Sequence, residues 1–358
     1  MTWRQRLLVW LAGFAGAVFV VYELRNVLLP FVAGMAIAYL LDPVVDRLER
    51  WRLGRTPASV LALVAFLLAA LGSLLLIVPV IEAQIVGLLA RLPQLIQRGR
   101  ELLAPVIEAA LARLGEEDGR KLPELASGYV GDAARLALGA VVGLLSGGAA
   151  VANILSLLFI MPIVSFYLLR DWDHMIGRID GWLPRANAET IRAQAREIDA
   201  TLSGFVRGQS LVCLALAGWY AMGLSLAGLD FGVLIGVFVG LLSFIPLVGA
   251  LVGGVLSVGL GLIQFDRWTD VALVAGVFAV GQVLEGHVLA PRLIGDKVGL
   301  HPVWIMFALL AGGALAGFLG VLLAVPAAAV IGVLARFALA RYLESPFYRE
   351  PARPDDGG

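Results

Sequence analysis

Charged residues are scarce in this chain. They make up 15% of its 358 residues, and 27 basic side chains balance 27 acidic ones, so the formal net charge is zero. Because 60% of the residues are hydrophobic, a compact soluble fold could not bury the apolar surface. The composition also counts against a disordered chain and, with no basic excess to neutralise phosphates, against a nucleic-acid partner. We therefore expect a protein that crosses a lipid bilayer several times.

Cysteine and histidine are nearly absent. The one cysteine, Cys213, lies in an apolar run, so it cannot form a disulfide within the chain and we interpret it as a buried apolar residue. His174, His287 and His301 lie far apart, without CxxC or HExxH spacing. This distribution argues against a zinc site.

Nucleotide-binding and catalytic motifs are absent as well. The sequence has no GxxxxGK[ST] loop, no GxSxG elbow and no closely spaced pair of intramembrane aspartates. ATP-driven transport by this chain alone, intramembrane proteolysis and acyl transfer are therefore not expected. We predict that the protein is not an enzyme and that it needs no cofactor or metal.

Long apolar runs are abundant, and most approach the 20 residues that a membrane span requires. The runs are Leu7–Tyr22, Val27–Leu41, Val60–Ile81, Val151–Leu169, Leu211–Gly228, Phe231–Ile263, Val271–Leu284 and Val303–Leu334. They predict an all-α membrane protein with about eight transmembrane segments. A polar, helix-like stretch after the third run is too charged to span and predicts an external helical insertion.

Two of the runs, Phe231–Ile263 and Val303–Leu334, are longer than one crossing needs. Each contains residues that break helices: Pro246 with Gly249, and Gly317, Gly320 and Pro326. Such segments predict broken or re-entrant helices, whose freed backbone groups must face protein or a water-filled cavity. A simple packing kink at Pro246 is the alternative.

Basic residues predict the orientation, because short loops rich in Lys and Arg stay in the cytoplasm. With the N-terminus inside, the arginines before the first run and after the second, fourth and last runs are all cytoplasmic, as are both termini. Arg25 then lies outside, and Arg267 lies outside if the two long segments are re-entrant and inside if both cross fully. Arg292 and Lys297 fall inside if the two long segments are re-entrant and outside if both cross fully.

These patterns divide the chain into six regions. They are a three-span bundle (1–81), an extracytoplasmic amphipathic helical region (82–146), a fourth span (147–170), cytoplasmic amphipathic helices (171–204), a C-terminal transport region (205–342) and a polar cytoplasmic tail (343–358).

The segment Gly281–Arg292 places polar groups at the end of an apolar run. Gln282 and Glu285 are one helical turn apart and share a face, with His287 close by. Ionisable groups at membrane depth usually line a polar pathway; alternatively, this stretch has already reached the headgroups. Arg207, beside Gln209, either snorkels or pairs with Glu285 or an anionic ligand.

Two further features could bind ligands or serve the fold. The break Phe244-Ile245-Pro246, followed by Gly249, could expose carbonyls to a cation or a polar solute. His301-Pro302 precedes the last apolar run and is as well suited to cap its helix as to bind a ligand.

Five motifs in order resemble the autoinducer-2 exporter (AI-2E) family of bacterial membrane proteins. They are AYLLDPVVDRLE (38–49), MPIVSFYLLRDWD (161–173), FVRGQ (205–209), FIPLVG (244–249) and GQVLEGHVLAPRLIGDKVGLHP (281–302). The resemblance extends from about Leu7 to about Tyr342. It implies an inner-membrane permease with about eight spans, both termini in the cytoplasm and assembly into a homo-oligomer, described as a pentamer.

The resemblance also implies candidate residues for the pathway. The first group is Phe244, Ile245, Pro246, Gly249, Gln282, Glu285, Pro291 and Gly295, and the second is Pro162, Ser165, Arg207 and Gln209. From their own positions, His287, His301 and Pro302 join the second group.

The predicted function is transport of a small polar solute by alternating access. Family members are associated with autoinducer-2 export and others with sodium(lithium)/proton antiport, so the transported species is either a small organic solute or a monovalent cation. A membrane scaffold without flux is the rival from another class. The expected partners are therefore the lipid bilayer, further copies of the chain and the transported species.

Overall fold

The computed structural model describes residues 3–114, 148–295, 299–345 and 348, and no β-strand occurs in these ranges. The elements are α1 (Trp3–Glu49), α2 (Arg55–Leu114), α3 (Gly148–Gly181), α4 (Ala188–Leu226), α5 (Gly232–Leu242), α6 (Val248–Gln264), α7 (Trp268–Val283), a π-helical segment (Leu284–Leu289), α8 (Ala290–Leu293) and α9 (Pro302–Glu344). The all-α prediction is confirmed for the described part of the chain.

Five helices in the described ranges are long and apolar enough to cross a membrane. They lie in Val27–Glu49, Arg55–Leu102, Ala188–Leu226, Trp268–Leu293 and Pro302–Glu344, and α5 and α6 are shorter apolar helices. Many of their large apolar side chains are exposed, which is the surface that lipid tails cover. The number of crossings, about eight, stays a prediction.

Helix α1 joins two segments that the sequence analysis separated. It has 47 residues and is about 70 Å long, more than twice the thickness of a hydrocarbon core. No turn interrupts it at Arg25, so the first two apolar runs lie on one continuous helix and not on two helices joined by a loop. Glu23, Leu24 and Arg25 all have high helix propensity. The chain therefore stays helical across these residues, although they are more polar than the apolar runs on either side.

Helices α2 and α3 also run past predicted boundaries. α2 continues without a break from the third apolar run into the polar region after Ile81, and α3 continues from the fourth run to Gly181. Of the predicted external insertion, residues 115–146 lie outside the described residues, as does most of the predicted tail. The predicted amphipathic pair over 171–204 is helical, formed by the end of α3 and the start of α4.

An ion pair joins the two helices of that amphipathic pair. Arg192 of α4 donates hydrogen bonds of 2.6 and 2.9 Å to the two carboxylate oxygens of Asp180 in α3. These bonds favour the ionised carboxylate, so they lower the pKa of Asp180. The pair holds the turn between the helices at residues 182–187.

The predicted break in Phe231–Ile263 is confirmed. Helix α5 ends at Leu242 and α6 begins at Val248, and the connection contains Leu247 with a φ of 70°. A Cβ on Gly249 would lie 2.6 Å from the Ser243 Cα, so only glycine allows this approach. Gly253 likewise faces Val239, which makes α5 and α6 an antiparallel hairpin.

The last long run is a helical hairpin as well. Ala316 has a φ of −135° and Gly317 a φ of 58°, a left-handed conformation that glycine adopts without strain. The chain reverses there, and a Cβ on Gly320 would overlap the carbonyl oxygen of Gly312. The break therefore falls at Gly317, whereas Pro326 stays inside the second helical arm.

The chain divides into two compact units. Unit 1 comprises residues 1–63, 160–209 and 290–358, and unit 2 comprises 64–159 and 210–289. The core of unit 1 includes Val45, Leu169 and Val333, which are buried, and that of unit 2 includes Tyr220 and Val239.

Small residues bring the helices of unit 2 into backbone contact. Cβ atoms on Gly236 and Gly240 of α5 would overlap the backbone of Ala221 and Ala217 in α4. Without a hydrophobic effect between helices in lipid, such close van der Waals packing is a main source of association. On α6, residues 249, 253, 257 and 261 form a second buried stripe of glycine and serine.

Ser257 in that stripe provides a test of the packing. Its side chain is fully buried, and its hydroxyl has no hydrogen-bond partner among the described residues. An unpaired buried hydroxyl costs about 1–3 kcal/mol. We expect Ser257→Ala to leave the free energy of unfolding in detergent unchanged or to raise it by about 1 kcal/mol.

Ser243→Ala is the matched control, because the Ser243 hydroxyl donates a 3.0 Å hydrogen bond to the Val239 carbonyl. This control should not stabilise the protein. A loss of more than about 1 kcal/mol on Ser257→Ala would show that the hydroxyl has a partner and would contradict the prediction.

Candidate functional site

Gln282 and Glu285 form a hydrogen-bonded polar pair in unit 2. The Gln282 Nε2 donates to Glu285 Oε2 at 3.3 Å, which confirms that the two side chains share a face. The same amide donates to the hydroxyl oxygen of Tyr220 at 3.0 Å. We call Tyr220, Gln282 and Glu285 the polar triad.

Packing on both sides of its ring holds Tyr220 in place. The residue is fully buried on α4, and its ring stacks on Phe278 with centroids 5.6 Å apart and planes 22° apart. A Cβ on Gly281 would overlap the ring, so glycine is required beside it. Tyr220 thus gives Gln282 one defined partner.

The helix changes from α to π geometry between Gln282 and Glu285 of the polar triad. Leu284–Leu289 is π-helical and carries Glu285 and His287. π-Helical turns are rare and occur often at functional sites, because the extra residue re-aims the side chains that follow. Glu285 is half-buried whereas His287 is exposed, so the structure separates these two candidates.

The ring of Phe278 lies between the polar triad and α6, the helix that follows the α5–α6 break. Ile245 in the break is buried and Pro246 is half-buried. One turn after Gly249, a Cβ on Gly253 would lie 3.0 Å from the ring of Phe278, the ring that stacks on Tyr220. The structure thus connects the break, α6, Phe278 and the polar triad within unit 2.

The other candidates belong to unit 1. His301 Nδ1 accepts a 3.4 Å hydrogen bond from the Val303 amide, and Pro302 follows it at the start of α9, so the capping interpretation is confirmed. Pro291 is exposed on α8, and Gly295 has a φ of 61°.

The motif around Pro162 holds α3 against α1. Ser165 is buried and donates to the carbonyl oxygens of Met161, at 2.8 Å, and Gly34, at 3.0 Å. A Cβ on Gly34 would lie 2.8 Å from a Val164 side-chain atom. Pro162 is half-buried on the same helix, and the contacts described for this segment are those of helix packing.

Arg207 has a partner that the sequence analysis did not propose. Its Nε donates to the Tyr39 carbonyl at 2.6 Å, and its Nη2 lies 3.4 Å from Asp42 Oδ2. Asp42, one turn from Tyr39 on α1, therefore helps to hold the guanidinium within unit 1. The predicted pairing of Arg207 with Glu285 or an anionic ligand stays a prediction. Gln209, two residues later, is buried.

Arg55 is the centre of a larger charge network in unit 1. Its guanidinium contacts three carboxylates on one face of α1 and one on α3, and its Nε donates to the Leu169 carbonyl at 2.9 Å. The partners and distances are Asp42 at 3.1 Å, Asp46 at 2.9 Å, Glu49 at 3.0 Å and Asp173 at 3.7 Å. This network joins the end of α1, the start of α2 and the second half of α3.

A small cavity of about 60 Å³ adjoins the network. Tyr39, Asp42, Trp172, Asp199 and Arg207 are among its lining residues. The Tyr39 hydroxyl donates to Asp199 Oδ1 at 3.1 Å. The volume suits about two water molecules.

Removing Arg55 should destabilise unit 1. With 20% of its side chain exposed, the network is partly screened, and the cost falls below that of breaking a fully buried pair. We expect Arg55→Gln to lower the free energy of unfolding by about 1–3 kcal/mol, measured by thermal unfolding in detergent. Arg47→Gln, an exposed neighbour on α1, should change it by less than about 0.5 kcal/mol; equal effects would contradict a role for the network.

Comparison with known proteins identifies the class of this chain. Residues 7–339 match the model of the AI-2E family transporters. The chain belongs to the AI-2E transporter family. The resemblance read from the five motifs is thereby confirmed.

Relatives within the AI-2E family are named as candidate transport proteins or permeases. YrrI of Bacillus subtilis is 29% identical over 315 residues, which cover 87% of this chain and 86% of YrrI. The permease PerM of Escherichia coli is 28% identical over 335 residues, covering 91% and 90%. The transport protein sll0063 of Synechocystis is 30% identical over 352 residues, covering 92% and 80%.

The structure shows what several AI-2E motifs do. AYLLDPVVDRLE, MPIVSFYLLRDWD and FVRGQ come together in unit 1 through the Arg55 network and Arg207. Sequence reasoning missed Asp42 and Arg55, although acids at 42, 46 and 49 follow helical spacing and share a face. It also missed Tyr220, whose signal was a phenol inside an otherwise apolar run.

Proposed function

We propose that this AI-2E family protein is a carrier that moves a small polar solute across the bacterial inner membrane by alternating access. Its substrate contact, in this proposal, is the polar triad of unit 2. The observation that carries the proposal is the half-buried Glu285, hydrogen-bonded to Gln282 in a π-helical turn of a membrane helix. An ionisable group so placed is costly and is usually retained for function.

The position of Glu285, in the π-helical segment that continues α7, supports membrane depth. Trp268 begins the helix and is 78% exposed, as expected of an aromatic residue at the membrane interface. Glu285 follows 17 residues later, about 25 Å along the helix axis. This distance is less than the roughly 30 Å of the hydrocarbon core, so we place Glu285 inside the membrane toward its far side.

The broken helices support a carrier rather than a scaffold. Helix α5 has 11 residues and is about 16 Å long, too short to cross the core. We infer that α5–α6 and the two arms of α9 are re-entrant hairpins. Interrupted helices near substrate sites are typical of carriers with alternating access.

Autoinducer-2 is the first solute to test, because the family resemblance implies it. The experiment uses purified protein in sealed proteoliposomes and compares counterflow of labelled autoinducer-2 with dissipation of a pH gradient on addition of sodium or lithium. Counterflow without ion-driven dissipation supports a solute carrier. Dissipation without counterflow supports the antiporter alternative, and the absence of both supports a scaffold and overturns the proposal.

Orientation and assembly form part of the same proposal. We propose that both termini are cytoplasmic and that the protein is a homo-oligomer, with five subunits as the family resemblance implies. Single cysteines introduced at exposed Arg50 and Trp268, in a Cys213→Ala background, should differ in labelling by a membrane-impermeant thiol reagent on intact cells. Mass measurement in detergent gives the subunit number directly.

A further inference from the structure

Two cavities adjoin each other in unit 2, near the loops before α5 and before α7. The polar chamber, of about 510 Å³, is lined by Arg91, Gln94, Gln97, Asp230 and Gln264 among others. The apolar chamber, of about 370 Å³, is lined mainly by Leu262, Ile263, Phe265 and Trp268. Arg98 and Glu101 line both cavities, so they form a shared wall between a polar and an apolar space.

Polar contacts from one face of α2 build the polar chamber. Residues 84, 91 and 98 are seven apart and therefore lie along one side of the helix. Gln84 Oε1 accepts a 2.8 Å hydrogen bond from the Leu234 amide in the first turn of α5, and Arg91 pairs with Asp230 just before that helix. These contacts fix α2 to the start of α5.

Side-chain hydrogen bonds from Gln264, at the end of α6, hold the loop between α4 and α5 on the other side of the polar chamber. Gln264 Oε1 accepts from the Asp230 amide and its Nε2 donates to the Gly228 carbonyl, both at 2.8 Å. Arg98 Nη1 makes a long 3.4 Å contact with the Ile263 carbonyl. A guanidinium carries five N–H donors, so Arg98 retains donors for a further acceptor.

Both positively and negatively charged side chains line the two chambers. We use this charge distribution to infer which class of ligand could bind there. Arg91 and Arg98 face Asp230 and Glu101 around the polar chamber, and Asp266 lines the apolar one. Because Asp230 is already paired with Arg91, a purely anionic headgroup would offer no cationic partner to Glu101 or Asp266 and would lie near their negative charges, which is unfavourable. A headgroup with both a phosphate and a primary ammonium offers each charge a partner, because guanidinium binds phosphate and carboxylate accepts from ammonium.

The apolar chamber requires that the ligand also have a hydrocarbon part. Six of its nine lining residues are aliphatic or aromatic, and the charged ones are Arg98, Glu101 and Asp266. The exposed Trp268 indicates the level of the membrane interface. We propose that the two chambers bind one zwitterionic phospholipid with a primary ammonium, its phosphate at Arg98, its ammonium at Glu101 and part of an acyl chain against Phe265 and Trp268. This site is separate from the polar triad, so it does not depend on the transported solute.

Native mass spectrometry of the full chain in a non-ionic detergent tests the site. The probes are short-chain phosphatidylethanolamine, short-chain phosphatidylglycerol and free phosphoethanolamine. We expect phosphatidylethanolamine to bind most tightly and free phosphoethanolamine to bind weakly, because it cannot use the apolar chamber. Equal binding of phosphatidylglycerol, or tight binding of the free headgroup, would overturn the lipid assignment.

Variants then locate the binding. Arg98→Gln should weaken phosphatidylethanolamine about tenfold or more, as expected for a lost charge-assisted hydrogen bond. Arg100→Gln is the matched control, because Arg100 is exposed on the same helix and lines neither chamber. Unchanged binding in Arg98→Gln, or an equal loss in both variants, contradicts the proposal.

Two more variants keep the proposal testable if Arg98→Gln does not fold. Glu101→Gln should reduce the preference for phosphatidylethanolamine over phosphatidylglycerol, because it removes the partner of the ammonium. Trp268→Ala should weaken both lipids and leave free phosphoethanolamine unaffected. A preference that survives Glu101→Gln, together with lipid binding that survives Trp268→Ala, would reject the site, while the carrier proposal would stand.

Discussion

Glu285→Gln is expected to reduce transport in proteoliposomes at least about tenfold, while the protein still folds. Glutamine keeps an oxygen that can accept from the Gln282 amide, so the 3.3 Å hydrogen bond has a replacement. What it removes is the negative charge. Hydrogen bonds to a charged group contribute about 1.5–3 kcal/mol, and loss of about 1.4 kcal/mol in the binding of the transported species corresponds to tenfold.

The control for this prediction is Glu82→Gln, the same chemical change at an exposed position of α2 in unit 2. It should transport at the wild-type rate. Equal initial rates for Glu285→Gln and wild type, at several pH values and with matched protein in the vesicles, would reject a role for the Glu285 charge.

Tyr220→Phe distinguishes the effect of the Glu285 charge from the effect of the hydrogen bond between Tyr220 and Gln282. It removes the hydroxyl that accepts from Gln282 and keeps the ring that stacks on Phe278. We expect a smaller loss of transport than for Glu285→Gln, because the amide loses one partner but the carboxylate remains.

The largest effect on stability is expected from adding methyl groups between α4 and α5. Cβ atoms on Gly236 and Gly240 would overlap backbone atoms of Ala221 and Ala217, and the backbone cannot rotate away as a flexible side chain could. The helices must then separate along their contact. We expect Gly236→Ala and Gly240→Ala each to lower the free energy of unfolding by about 2–3 kcal/mol, measured by circular dichroism during thermal unfolding in detergent.

Gly218→Ala on α4 is the matched control, because a Cβ there meets no atom within 4 Å in the described structure. In a helix interior, alanine should stabilise by about 0.5–1 kcal/mol relative to glycine. Opposite signs at positions 218 and 240 therefore identify packing as the cause. If all three variants change stability alike, the close α4–α5 contact is not what stabilises unit 2.

The sequence predicted the broken helices because the signals are local. Pro246 with Gly249, and Gly317, change what the backbone can do at those positions whatever surrounds them. The same local reasoning was less successful at Arg25 and after Ile81, where polar residues interrupt hydropathy and the helix continues. Charge lowers hydropathy without breaking a helix, so hydropathy alone misplaced those boundaries.

The candidate site was predicted in part. Gln282 and Glu285 share a face because of their spacing on one helix, which required no knowledge of the fold. Tyr220, 62 residues earlier, could not be paired with Gln282 from spacing, because the contact depends on how α4 and α7 pack. For the same reason the contact of Arg207 with Asp42 of α1 could not be predicted from spacing.

The sequence by itself determined the class of this protein. Scarce charge and long apolar runs require a membrane, and five ordered motifs indicate the AI-2E family, because composition and motif order do not depend on packing. Only the tertiary structure decided which polar side chains meet. The polar triad, the Arg55 network and the paired chambers beside α2 each join residues distant in sequence, and such contacts arise from close packing of helices, which no single segment encodes.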